Sequence, residues 1–377
     1  MKNEQKFIAE SIRAFLGSYS PQKLIRLFKS LDIKNLNALI DRQSIAGYFY
    51  HLYLAKVFDC LNMPADTFEN WKRASGMNLI ANDLNDNEAV KIIKEITKNE
   101  IEYIYIKGIS IRRRCYDEDY INRSVDIDLF IRKSDYAKVK KVLMDKGYNI
   151  PVSYYINKIA IKVPFEEFEK QEYEICFIKK QNALEFIVDL QWDFIGRDKA
   201  SVFHRIYNLE PFYRFDAADE IEADGYKINI FPLETEFVNM SFHYASHHGF
   251  KGIKWLTDIC LFIKKYESKI DFEFIYKTAD ANLKKILGIT LMLAYEFNYH
   301  AKISKEQKKL FCVDRLLPFE YSFYKSMIFK LDGIVSNRIA LRIIKILLPY
   351  KMSSRLLVIK DSLKFMLKNR LKNKPGL

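Results

Sequence analysis

YIYIKGISIRRRCYDEDYINRSVDIDLF, from Tyr103 to Phe130, is the stretch that decides how the chain folds. Its β-branched and aromatic opening, Tyr103 to Ile106, predicts a strand. Lys107-Gly108 breaks that run, and Ile109 to Tyr116 can then turn into a helix. A strand-Gly-helix junction leaves free backbone N–H groups at a helix start, which is a ready site for a phosphate. After a polar loop, Val125, Ile127, Leu129 and Ile131 fall on one face of a second strand, and Asp126 and Asp128 on the other. Two carboxylates at i, i+2 on an otherwise apolar strand repel each other and are costly to bury without compensation. A divalent cation is the usual compensation. On its own a D-x-D pair reads more simply as a solvated strand face, because short motifs match by chance. Three features argue for more: the phosphate loop just upstream, Arg123 three residues before the first Asp, and Asp189 in the later strand pattern IVDLQW.

Composition narrows the classes. At 377 residues, 49% hydrophobic and 29% charged, the chain can bury a large core in two or three subdomains. With 12 glycines against 24 tyrosines and 28 phenylalanines, a Gly-rich dinucleotide fold and a disordered chain are both disfavoured. No apolar run approaches the ~20 residues of a membrane span, and the polar start MKNEQKFIAE does not read as a signal peptide. The five cysteines (Cys60, Cys115, Cys176, Cys260, Cys312) are scattered and never in C-x-x-C spacing, as expected of reduced thiols in a cytoplasmic protein. The net charge of +13 suggests an anionic partner.

Outward from the central stretch, residues 1–99 read as helices, including a start at Ser20-Pro21, a segment from Asn37 to Leu61 and another from Asp66 to Lys98. Residues 100–231 change period. Ser134 to Lys146 predicts a surface helix stopped by Gly147. Alternating runs follow at Ile159/Ile161/Val163, Tyr173/Ile175/Phe177 and Phe186/Val188/Leu190/Trp192, and Tyr226 to Phe231 offers a further, edge strand. If the Asp126 and Asp189 strands pair, the three carboxylates meet on one side of a sheet. Arg112, Arg113 and Arg114 read as a solvated helix face, and Asp117, Glu118 and Asp119 as a loop. Residues 232–377 are helical again. His243 and His247 lie at i, i+4, a spacing that can hold zinc with Asp258, but no Glu follows the first His and no Cys is near, so a site-lining role is the plainer reading. From Asn337 to Leu377 there are eleven basic residues and one acidic residue, Asp361. That basic tail is expected to be an amphipathic helix, either simply solvated or docking a polyanion such as nucleic acid or an anionic membrane surface.

Lys107-Gly108, then Arg123-x-x-Asp126-x-Asp128, then Asp189 resembles the DNA polymerase beta-type nucleotidyltransferase superfamily. More closely it is similar to the bacterial branch of uncharacterised nucleotidyltransferases, in which Lys-Gly replaces the commoner Gly-Ser. The His-rich helix and the W-L-x-D of Trp255, Leu256 and Asp258 extend the likeness over most of the chain. Two departures stand out: 17 residues separate Gly108 from Asp126, and Gln191 stands two after Asp189 where close relatives have His. The resemblance implies an α+β fold, with a small mixed sheet between an N-terminal helical region and a C-terminal helical domain. It implies transfer of a nucleotidyl group from an NTP such as ATP to a hydroxyl-bearing acceptor, with pyrophosphate released. Asp126 and Asp128 would bridge two Mg²⁺ or Mn²⁺ ions and Asp189 would complete one of the sites. Lys107, Gly108, Arg123 and, more weakly, Ser110 would hold the triphosphate. His243 or His247 would be an acceptor-side base. A degenerate binding protein of the same fold and a two-metal phosphohydrolase remain alternatives.

Overall fold

A computed structural model describes residues 2–151, 169, 173–182, 184–195, 200–298, 304–314, 316, 318–329 and 343–360. The fold is α+β, as the sequence predicts: a six-stranded mixed sheet flanked by helices. The run at Ile159 to Val163 and the tail from 361 onward lie outside the described residues.

The sheet follows from the alternation already noted. Strands β1 (Tyr103–Ile106) and β2 (Ile127–Ile131) pair antiparallel, with Ile106 opposite Asp128. Strands β3 (Glu174–Gln181) and β4 (Leu184–Gln191) form a hairpin, and β4 adds to β2 in parallel, setting Asp128 beside Asp189. At the other side β6 (Tyr226–Ile230) runs parallel to β1, and β5 (Asp219–Ala223) closes the edge, giving the order β3-β4-β2-β1-β6-β5. Tyr226 to Phe231 is therefore not the expected edge strand. The edge is β5, which the sequence hides because its DEIEA has three exposed residues and no apolar alternation.

One face of the sheet, with Ile127, Leu129, Val188 and Leu190, packs on the second half of a 34-residue helix, Ala65–Lys98, and on the helix Tyr136–Asp145. The other face, with Ile104, Ile106 and Phe130, joins a larger core built from the N-terminal and C-terminal helices. Within that core the expected segment Asn37 to Leu61 divides into helices Ile33–Arg42 and Ala46–Leu54. The helices Leu233–Ser246 and Ile253–Tyr266 stand over the second face, beside the ends of β2 and β4, and enclose the site. No helix among the described residues is long and apolar enough to cross a membrane.

The arginines of the helix Gly108–Cys115 correct the reading of that segment as a solvated face. Arg112 and Arg114 are 1% and 5% exposed. Arg112 pairs with Asp86 of the long helix and with Asp119 of the following loop, while Arg114 pairs with Asp219 on β5 and lies near Glu236. Arg113 joins Asp86 and Asp119 from the rim. Asp119 of the acidic loop, together with Asp86, Asp219 and Glu236, supplies the counter-charge that lets this helix be buried.

Candidate active site

The carboxylates of Asp126, Asp128 and Asp189 meet: one ligand atom from each lies within 4.8 Å of the others. This is the only group of three His, Cys, Asp or Glu among the described residues that could hold a metal ion. Asp126 sits just before β2, Asp128 within it, and Asp189 beside it on β4, so the parallel register does the gathering. Burial pushes the Asp128 carboxyl well above its ordinary range, with Asp126 and Asp189 adding to the rise and Lys107 opposing it. Asp189 is raised to about 7 by burial, by Glu174 and by Asp126. Glu174, at the start of β3, is a fourth carboxylate lining the same cavity, and no motif in the sequence marks it. Clustered carboxylate oxygens that destabilise one another's charge are the donor set that hard cations such as Mg²⁺ or Mn²⁺ take, so these residues fit the expected ions.

Lys107 stands inside this cluster. Its Nζ donates to Asp128 Oδ1 at 2.7 Å, and Gln191 Nε2 donates to the same oxygen at 2.9 Å. Gln191, the departure noted in the sequence, thus orients one of the three carboxylates. Lys107 has φ +54 and Gly108 φ +29, leading directly into the helix Gly108–Cys115. A Cβ on Gly108 would meet Ser124 Oγ at 2.6 Å, so only glycine fits where the loop before β2 crosses the helix start. A non-glycine residue held in this region is strained, and such strain gathers at functional sites. Arg123 is exposed and lines the cavity.

Ser110 does not join the phosphate loop. It is fully buried, its hydroxyl donates to Glu236 Oε2 at 2.9 Å, and it does not line the cavity. One turn into the helix, its side chain faces the core and neutralises part of a buried acid.

From the carboxylates a cavity of about 770 Å³ runs between the sheet and the helices Leu233–Ser246 and Ile253–Tyr266. Residues 239, 240, 243, 244 and 247 of the first helix and 254, 255, 258 and 259 of the second form its wall, the i, i+4 faces that 3.6 residues per turn place together. His243 and His248 touch through their Nε2 atoms at 3.0 Å, His243 stacks on His247, and His248 stacks on Trp255. They form an aromatic wall, and no candidate metal-binding group among the described residues includes them. Asp258, 4% exposed, accepts hydrogen bonds from the Tyr116 hydroxyl and from Asn122 Nδ2, and burial raises it to about 6 despite the nearby Lys254 ammonium. Lys254 donates to the Arg123 carbonyl at 3.0 Å, and burial lowers its pKa.

No curated protein and no solved structure matches the chain. The pattern of a family described as uncharacterised nucleotidyltransferases matches residues 29–298, which takes in the sheet, the carboxylate cluster and both helices over the cavity. By that match the chain belongs to this nucleotidyltransferase family.

Proposed function

We propose that the protein transfers a nucleotidyl group from an NTP to a hydroxyl-bearing acceptor at the Asp126/Asp128/Asp189 cluster, with two divalent cations. The observation that supports this most is the convergence of the three carboxylates, within 4.8 Å, beside a cavity of ligand size. Bound there, Mg²⁺ or Mn²⁺ would lower the acceptor hydroxyl's pKa and stabilise the charge on the leaving pyrophosphate.

The chain's own residues supply the rest. Gln191 holds Asp128 in orientation. The backbone N–H groups after Gly108 open a helix and favour an anion. Arg123 offers a fork to phosphate oxygens, and Lys107 a point charge from beside Asp128. The bond from the α-phosphorus to pyrophosphate breaks as the bond to the acceptor oxygen forms. The wall of helices holds back bulk water, which would otherwise compete as acceptor. We place the reaction in the cytoplasm, a reading supported by five free cysteines. We also assign the basic tail to a polyanionic partner.

A nucleotide-binding protein without turnover is the second reading, favoured by one observation: Lys107 already neutralises Asp128. Incubation with each labelled NTP and Mg²⁺ or Mn²⁺ separates the readings. Pyrophosphate release supports transfer, inorganic phosphate a hydrolase, and binding alone the second reading.

A further inference from the structure

Three buried amides line the cavity with hydrogen-bonding groups that the described residues leave unused. Gln43 is 5% exposed, and its Oε1 accepts from the Ile253 N–H at 3.1 Å. That bond fixes the amide, and Nε2 has no partner among the described residues. Asn122 is 6% exposed and donates through Nδ2 to Asp258, which leaves its Oδ1 without a donor. Asn239 is 4% exposed, and its Nδ2 is likewise unpartnered. Buried polar groups are nearly always paired, so three such groups on one cavity are sites for water or for a ligand that takes its place.

The chemistry of the orphans restricts that ligand. Gln43 presents a donor and Asn122 an acceptor, each locked by its other bond, while Asn239 has no bond in the described residues that fixes which group it presents. An inorganic anion would satisfy only the donors and a cation only the acceptor. A heteroaromatic edge carries both, as does the water it would displace. The aromatic wall supports the same class: Trp255 is half-buried, lines the cavity and stacks with His248 at 4.6 Å between ring centres. Flat rings of this kind are surfaces on which bases stack.

We propose that Gln43, Asn122 and Asn239, with Trp255, form the nucleobase subsite of the donor NTP and set which base is accepted. The subsite rests on the nucleotidyltransferase reading of the same cavity, whose carboxylate end takes the phosphates. Selection then comes from three parts of the chain: Gln43 of the N-terminal helical region, Asn122 of the loop before β2, and Asn239 and Trp255 of the helices over the sheet.

The test is equilibrium binding of ATP, GTP, CTP, UTP and inorganic tripolyphosphate to the full chain in Mg²⁺. The subsite requires the four NTPs to spread over about tenfold or more in affinity, the best of them well above tripolyphosphate, since unmatched buried polar groups discriminate strongly. Asn239→Ala should compress the spread while leaving tripolyphosphate binding unchanged. Gln43→Glu keeps the oxygen that holds Ile253 but replaces the donor, and should reorder the four bases. Tripolyphosphate binding with no base preference in the wild-type protein overturns the subsite alone. Equal loss of tripolyphosphate and NTP in both variants makes the amides structural and also overturns it. Binding of neither tripolyphosphate nor any NTP overturns the transferase reading, and the subsite with it.

Discussion

Lys107 Nζ lies 2.7 Å from Asp128 Oδ1, so the ammonium at the start of the helix Gly108–Cys115 is the counter-charge of the carboxylate cluster. Asp128 is 2% exposed, and burial holds its carboxyl well above the ordinary range even with that ammonium beside it. Burial tends to lower the lysine's pKa, but Asp128, Glu174 and Asp126 outweigh it and hold the ammonium charged. A divalent cation held by the cluster would therefore compete with the lysine for one oxygen.

Lys107→Met tests this competition. Without the ammonium, the metal-free protein should lose about 1–3 kcal/mol of stability, because buried Asp128 keeps only the Gln191 donor. Mn²⁺ should restore it. Mn²⁺ affinity should rise while tripolyphosphate affinity falls, and both are read by titration calorimetry. A parallel fall of the two would make Lys107 merely structural.

The raised Asp189 carboxyl gives a pH signature. Its folded pKa of about 7 lies above the ordinary carboxylate value, so its contribution to stability is complete below about pH 4 and disappears as pH rises through 7. Between those limits wild type minus Asp189→Asn should show a slope of about 1.4 kcal/mol per pH unit in metal-free denaturation. Saturating Mg²⁺ should flatten the slope, because cation binding favours the ionised form. A pH-independent difference would remove Asp189 from the cluster.

Arg112→Met should destabilise the fold by about 3 kcal/mol, because it leaves Asp86 buried with only the more distant Arg113. Adding Asp86→Asn should recover part of the loss. A single variant that melts with wild type would restore the solvated-face reading of this helix.

Deleting residues 367–377 removes four of the tail's basic residues. NTP binding should not change. Association with RNA or anionic vesicles should weaken, and in the intact chain it should fall steeply from low to physiological salt. Salt-independent behaviour would leave the tail without a polyanionic partner.

What was legible in the sequence was local. Val125 to Ile131 and Ile187 to Trp192 alternate clearly enough to place Asp126, Asp128 and Asp189 on the non-apolar side of two strands, and the parallel register of β2 and β4 brings them together. Lys107-Gly108 announced a strand-to-helix junction because no other residue pair in that run breaks the pattern. The rest depended on partners far away in the chain. Three consecutive arginines look like a surface until Asp86, Asp219 and Glu236 arrive from three other elements. Ser110 looked available until Glu236, 126 residues later, took its hydroxyl. Gln43, Asn122 and Asn239 have no motif at all. An amide near a helix end is common, and only the enclosed cavity shows that their hydrogen bonds are missing.

The most direct test is pyrophosphate release from labelled NTPs, with wild type compared against Asp126→Asn, Asp128→Asn and Asp189→Asn in Mg²⁺ or Mn²⁺. The account predicts metal-dependent release by wild type and a fall of several orders of magnitude in each variant, with melting temperatures equal to or above wild type for Asp126→Asn and Asp189→Asn, which relieve repulsion in the metal-free cluster, and a smaller or no gain for Asp128→Asn, which also breaks the pair with Lys107. Release that survives in all three variants, or that needs no divalent ion, would contradict it.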